Sequence, residues 1–254
     1  MKNIRIIPLL HIKGPNVVKP VHTEALRVVG NPKELSLRYY KDGADELIYL
    51  DIVASLYQRN LDFDLLKSVT ENIFIPITVG GGIRSIQDIN NALRAGADKV
   101  AINTYALHHP EFISNAAKEF GSQCIALFIE AKKQSNGSYE AYTDGGREHS
   151  GIDAVEWAKR GIELGAGEVL ITSIDKDGTR SGFDVELVRE ITAFAPIPVI
   201  AHGGAGSIES FKEIIIEGKA DAVAASSVFH YEELTIGEVK RYLQKSGVSV
   251  RHDL

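Results

Sequence analysis

Two short glycine-rich runs, Gly80-Gly81-Gly82 and Gly203-Gly204-Ala205-Gly206, each stand between an Ile/Val-rich segment and an amphipathic one. Glycine there lets backbone N–H groups approach an anion, and a following helix N-terminus favours negative charge. Either run alone reads equally well as a tight turn, glycine being the default turn residue. The pair says more, because the next apolar segment ends in Asn103-Thr104 after the first run and in Ser226-Ser227 after the second. A glycine turn beside an amide or hydroxyl, twice over, describes two phosphate cradles: Gly82, Asn103 and Thr104 in one, Gly204, Ser226 and Ser227 in the other. His11 and Glu130 close the first and fifth apolar segments and could trade protons as an acid/base pair. The plain alternatives are a histidine satisfied by backbone partners and a Glu130–Lys132 ion pair. Lys19, Asp51, Thr172, Asp177 and Gly178 complete the candidate substrate-binding set, although Asp177-Gly178 also reads as a turn. Arg5, Glu46, Lys99 and Glu168 form a third group, two cations and two anions at the starts of apolar segments. They could ring one opening with alternating charge. Exposed ion pairs contribute only about 0–1 kcal/mol each, so stability is a weak reason for such a ring.

The elements that must hold these residues alternate. Apolar runs at 4–12, 46–52, 74–79, 99–103, 123–130, 168–174, 197–201 and 221–225 are too short for helices and too continuous for half-exposed strands. They read as buried parallel strands. Between them lie helices with end signals: Asn31-Pro32 opens one that should stop at Gly43, and Ser85 with Asp88 forms a capping box before a stretch ended by Gly96. Asp184 likewise precedes Val185, Val188 and Ile191. Eight such units predict a single (β/α)8 TIM barrel of α/β class over residues 1–254, with ligands at the C-terminal ends of the strands. The chain also repeats itself. FIPITVGGGIRS at 74–85 matches PIPVIAHGGAGS at 196–207, GADEL at 43–47 matches GAGEV at 165–169, and both pairs lie 122 residues apart. Two fused half-barrels, about 1–121 and 122–254, account for that offset. They set the two cradles on opposite sides of one mouth, with His11 facing Glu130, and put the charge ring on the other face.

Composition agrees with a globular domain. The 254 residues carry 28 Lys and Arg against 34 Asp and Glu, a net charge of −6, with 44% hydrophobic and 24% charged residues. This excludes a disordered chain, a collagen-like repeat and a disulfide miniprotein, and argues against a nonspecific nucleic-acid binder. The lone Cys124 suits a reducing cytosol. The first ten residues, MKNIRIIPLL, lack the apolar run and cleavage site of a signal peptide, and no window approaches the ~20 apolar residues of a membrane span. A cytoplasmic protein is expected. The eight histidines are scattered, with only His108-His109 adjacent, so no metal site and no redox cofactor are expected.

Several runs resemble the cyclase-subunit family of imidazole glycerol phosphate synthase (HisF): VVK at 17–19, GADELIYLDI at 43–52, TVGGGIRS at 78–85, AGADKVAIN at 95–103 and FGSQC at 120–124. DAVEWAK at 153–159, ITSIDKDGT at 171–179 and GGAGS at 203–207 extend the likeness over essentially the whole chain. The resemblance implies a (β/α)8 barrel that docks a glutaminase on its lower face, forming a heterodimer. Ammonia would enter through a four-residue gate, matched by Arg5, Glu46, Lys99 and Glu168, with Asp98 at the glutaminase interface. It would travel inside the barrel and attack a bisphosphorylated ribulosyl-formimino ribonucleotide, in lyase and cyclase steps of histidine biosynthesis. Gly82, Asn103, Gly204 and Ser227 match phosphate-site positions.

The chain departs from the family's pattern where chemistry happens. His11 and Glu130 stand where the family has two aspartates, His202 where it has a small serine, and Val53 where it has a polar residue. A displacement near 1 Å can lower a rate about 10²-fold, so these changes are not conservative. One branch that lacks the first aspartate forms an acetamidino group on a nucleotide-linked sugar of surface polysaccharide, also with a glutaminase-like partner. Three readings therefore compete with the cyclase: that amidinating paralogue, a single-chain sugar isomerase with two phosphate sites, and a non-catalytic glutaminase-binding scaffold. The charge ring argues against the isomerase, and two cradles against the scaffold.

Overall fold

Alternation of Ile and Val with few polar breaks drives eight segments into one parallel sheet, and the computed structural model, which describes residues 3–21 and 24–251, closes that sheet on itself. Met1 and Lys2 of the amino-terminal run lie outside the described residues. The chain runs β1 (Arg5–Lys13), β2 (Asn16–Val21), β3 (Glu24–Gly30), α1 (Pro32–Lys41), β4 (Leu47–Asp51), α2 (Phe63–Thr70), β5 (Ile77–Gly80) and α3 (Ile86–Arg94). It continues with β6 (Lys99–Ile102), α4 (Thr104–His108), α5 (Glu111–Phe120), β7 (Ile125–Lys133), β8 (Tyr139–Thr143), β9 (Glu148–Asp153) and α6 (Ala154–Glu163). β10 (Glu168–Ser173), α7 (Val185–Thr192), β11 (Val199–His202), α8 (Ile208–Ile216), β12 (Ala222–Ala225), α9 (Ser227–His230) and α10 (Ile236–Lys245) complete it. Strands β1, β4, β5, β6, β7, β10, β11 and β12 pair in parallel in that order, and β12 returns to β1. This is the expected (β/α)8 barrel.

Three boundaries differ from expectation for local reasons. Proline has no N–H to give a ladder, so β5 starts at Ile77 after Pro76 and β11 at Val199 after Pro198, and Phe74 is left 80% exposed. Residues Ser122–Cys124 form a 3-10 turn, delaying β7 to Ile125. The Ser85 box is only half formed: its hydroxyl oxygen accepts from Asp88 N, but the Asp88 carboxylate takes Arg84 N and the Ser85 hydroxyl instead of the Ser85 N–H.

Two antiparallel hairpins were not anticipated. β2–β3 extends from β1, and β8–β9 extends from β7. Each follows the first strand of its half, so the hairpins stand at corresponding places in the repeat. Below the barrel, Asp98 accepts from Ile77 N at 2.9 Å, and Asp221 accepts from Val199 N at 2.8 Å in the matching place.

Side chains alternate across each strand, so the strands sort into an outer face under the helices and an inner face. The inner face is its own apolar cluster, built from Ile7, Leu9, Ile48, Leu50, Ala101, Ala126, Leu170, Ile200, Ala222 and Ala224, with Ile52 and Phe128 packed on it. Continuing the same alternation downward reaches Arg5, Glu46, Lys99 and Glu168. Continuing it upward reaches His11, Asn103, Glu130, Thr172, His202 and Ser226. The charged ring and the polar mouth are thus two ends of the same inner stripes, about 20 Å apart at ~3.3 Å per residue from Arg5 to His11. No helix among the described residues is long and apolar enough to cross a membrane.

Candidate functional site

At the lower end the four charges alternate as a closed ring. Arg5 binds Glu46 at 2.7 Å and Glu168 at 2.5 Å, while Lys99 binds Glu46 at 3.1 Å and Glu168 at 3.0 Å. Both glutamates are buried, and the two cations are partly so. Asp98, exposed on this face, ties β5 to the turn before β6 through its carboxylate. A ring buried to this degree costs desolvation that its pairing must offset, so its presence across the barrel axis calls for more than stability.

At the upper end Glu130 is buried beneath the β8–β9 hairpin. Its Oε2 accepts from Asn103 Nδ2 at 2.8 Å, and the same amide donates to Tyr142 O at 3.1 Å. Burial pushes the Glu130 carboxyl up to about 8, against the pull of the Asn103 hydrogen bond. No ion pair to Lys132 forms among the described contacts, so that alternative for Glu130 fails. His11 is also buried, and its Nδ1 has no hydrogen-bond partner among the described residues, so backbone groups there leave at least one ring nitrogen unsatisfied. Burial first, and then the charge of Lys19, hold its imidazole well below the ordinary range and therefore neutral. Lys19, on β2, is paired with Asp177 at 2.8 Å, both side chains only 3% exposed. Asp51 is held by Arg59 at 2.7 Å and accepts from Val53 N. Burial raises the Asp51 carboxyl despite that guanidinium.

The two halves of the mouth are unequal. A cavity of about 610 Å³ opens on the first-half side, lined by Asp51, Gly81, Gly82, Arg84, Asn103, Thr104 and Glu130, and extends outward to Tyr105, His108 and His109. A second, of about 20 Å³, lies between His11, Glu130, Thr172 and Asp177. Neither is lined by Gly178, Gly204, Ser226 or Ser227. His202 explains the difference. Its repeat mate, 122 residues earlier, is Gly80, which offers no side chain. His202 instead fills the mouth, with Nδ1 2.9 Å from the Thr172 hydroxyl and Nε2 3.3 Å from that of Ser226, which donates to Leu9 O. Burial pulls its imidazole down to about 4, and its ring meets His11 edge-on at 5.6 Å.

The glycines have a packing reason of their own. A Cβ on Gly82 would lie 2.5 Å from Arg59 O, and one on Gly204 would lie 2.1 Å from Gly182 O. In each half the glycine turn is crossed by the loop that follows the preceding strand, and only glycine permits that approach. The turn reading of these runs is thus correct, and in the first half it coexists with the large open cavity that Gly81 and Gly82 line.

Arg59, Arg84, Arg147 and the β8–β9 hairpin also border the site, although sequence reasoning passed over them. Asn136-Gly137, the strongest short hairpin signal, was available for β8. Nothing in the spacing marks Arg59. Among the described residues no group of three or more His, Cys, Asp and Glu is disposed to hold a metal.

Comparison with known sequences follows the same lines. The profile of the family described as histidine biosynthesis protein matches residues 5–235. A protein of Legionella pneumophila described as imidazole glycerol phosphate synthase subunit HisF is 59% identical over 211 residues, covering 83% of this chain and the whole of that protein.

Proposed function

The chain belongs to the histidine biosynthesis protein family, and from that premise we propose that it is the ammonia-using cyclase subunit of an imidazole glycerol phosphate synthase complex. It works in histidine biosynthesis, in the cytoplasm, with a glutaminase docked on the lower face beside Asp98. The observation that carries the reading is the pairing of two ends: a closed ring of Arg5, Glu46, Lys99 and Glu168 below, and His11 with Glu130 above, joined by one apolar interior. A charge ring over an apolar bore discriminates: it can yield to a small neutral molecule while the interior rejects ions. The 59% identity to the Legionella subunit supports the same reaction type.

In this reading, the phosphate-bearing substrate enters the large cavity with one anionic end at Gly82, Asn103, Thr104 and Arg84. Lys19, Asp51, Thr172, Asp177, Gly178, Gly204, Ser226 and Ser227 border the rest of its path. Neutral His11 takes up the proton that nitrogen loses on attack, and Glu130, poised near 8, gives or takes a proton on the opposite side. No cofactor is required.

One observation favours a second reading. His202 lies against Ser226 of the second cradle, which disfavours a second phosphate there, so an amidinating paralogue acting on a nucleotide-linked sugar is the second reading. The ring supplies the test of the ammonia reading. Replacing Lys99 with Ala should uncouple glutamine-driven from ammonium-driven turnover in the complex, lowering the first at least tenfold while sparing the second. Equal loss of both would contradict a gating role.

A further inference from the structure

The large cavity runs further than a phosphate cradle requires. It measures about 610 Å³, within the range of roughly 300–1,000 Å³ that small-molecule sites occupy. The buried Glu130 marks its inner end, Gly82, Asn103 and Thr104 lie part-way, and the exposed His108 and His109 reach the rim. Past Thr104 the lining turns aromatic. Tyr105 is the next residue along α4, and His109, one turn on, puts its ring 4.6 Å from that of Tyr105. Phe112 meets Tyr105 edge-on at 5.0 Å, which holds the phenol ring in place. The loop after β4 adds Ser55, Leu56 and Gln58 to the same lining, and Leu56 keeps 42% of its surface exposed. Asp144 and Glu148 also border the cavity, so a second anion is disfavoured there. A ring platform, an uncovered apolar side chain and two carboxylates describe a place for a flat, neutral group.

We propose that the outer end of this cavity is a subsite for a nucleoside base: a nucleoside 5′-monophosphate seats its phosphate at Gly82, Asn103, Thr104 and Arg84 and stacks its base on Tyr105. A purine or pyrimidine fits this lining because every base offers a π-face to an aromatic side chain. Its polar edge finds donors and acceptors in Ser55, Gln58 and His108. A substrate whose phosphate is terminal ends at the cradle and leaves Tyr105 uncovered, whereas a phosphate with a nucleoside beyond it uses the whole length. The inference goes beyond the cyclase reading and needs from it only the first phosphate cradle. In a cyclase such a nucleotide competes with the substrate; under the second reading it is the handle of the nucleotide-linked sugar.

Calorimetry on the full chain reads the subsite without turnover. Adenosine and uridine 5′-monophosphates are titrated beside ribose 5-phosphate, which carries the same phosphate and sugar without a base. The better nucleotide should bind at least tenfold tighter than ribose 5-phosphate, a difference of about 1.4 kcal/mol. Y105A and Y105L should both cancel that advantage while leaving the affinity for ribose 5-phosphate within about twofold. Y105L keeps an apolar side chain against Phe112, so it separates loss of the ring from loss of packing. Equal binding of nucleotides and ribose 5-phosphate by the parent overturns the proposal, and so does an advantage that survives in Y105L. The two readings fail separately. A nucleotide advantage in a chain that does not turn over the ribulosyl-formimino ribonucleotide sinks only the assigned reaction, and turnover without that advantage sinks only the subsite.

Discussion

Replacing Glu130 with Gln should make the protein more stable, by an amount that grows as pH rises from about 4.5 to about 8. Burial raises the Glu130 carboxyl to about 8 from an ordinary 4.5. The folded chain therefore keeps a proton that the unfolded chain loses between those values. Stability from this carboxyl is fully present below 4.5 and is lost as pH rises through 8. A gap of about 3.5 pH units at 1.36 kcal/mol each sets the loss at roughly 5 kcal/mol. Glutamine matches the protonated form in shape and can still accept from Asn103, but it does not titrate. E130Q should equal the parent at pH 5 and exceed it by roughly 3–5 kcal/mol at pH 9, measured by urea unfolding at both values and at pH 7. Removing the Asn103 donor by N103A should move the parent's transition upward by about 1–2 pH units, the worth of a hydrogen bond to a charged group. An E130Q gain that does not grow with pH would refute the claim that this carboxyl is buried with an elevated affinity for its proton.

Other expectations follow from the unequal mouth and its packing. H202S should open the second cradle and give the protein a second site for inorganic phosphate, counted by calorimetry; an unchanged stoichiometry would show that His202 does not plug it. G204A forces a Cβ to within 2.1 Å of Gly182 O at a φ of +103°, and thermal unfolding should register a loss of at least ~2 kcal/mol. K19M strands a buried Asp177 and should cost about 3–5 kcal/mol in urea unfolding, most of it recovered by D177N in the same chain. A double variant no better than K19M would mean that Lys19 contributes by packing alone.

How much of this was legible in the residues depended on whether the signal was periodic. The eight barrel strands announced themselves because both faces are buried and each reads as an apolar run. Parity along those runs also set Arg5 and His11 on one inner stripe. The repeat was legible because the same backbone crossing demands glycine in both halves, at Gly82 and at Gly204. The hairpins were not, since β2–β3 and β8–β9 are mixed in polarity and lie on the barrel rather than within it. The unequal mouth was hidden for a different reason. His202 stands out as a residue type, but whether it opens or fills a cradle depends on its reach to Thr172 and Ser226, which come from neighbouring strands. In the same way, the sequence offered Lys132 as a partner for Glu130, two residues away. Neighbours two apart on one strand share a face, yet Lys132 is beyond the rim, and the buried carboxylate takes Asn103 from the adjacent strand.

The most direct test of the central claim is ammonium-driven turnover of the ribulosyl-formimino ribonucleotide by the purified chain, with no glutaminase present and at a pH near 8.5. The account predicts turnover that saturates in ammonium and is abolished in E130Q. A folded chain that binds a glutaminase yet leaves this substrate untouched at saturating ammonium would contradict it, and would pass the site to the nucleotide-linked sugars of the second reading.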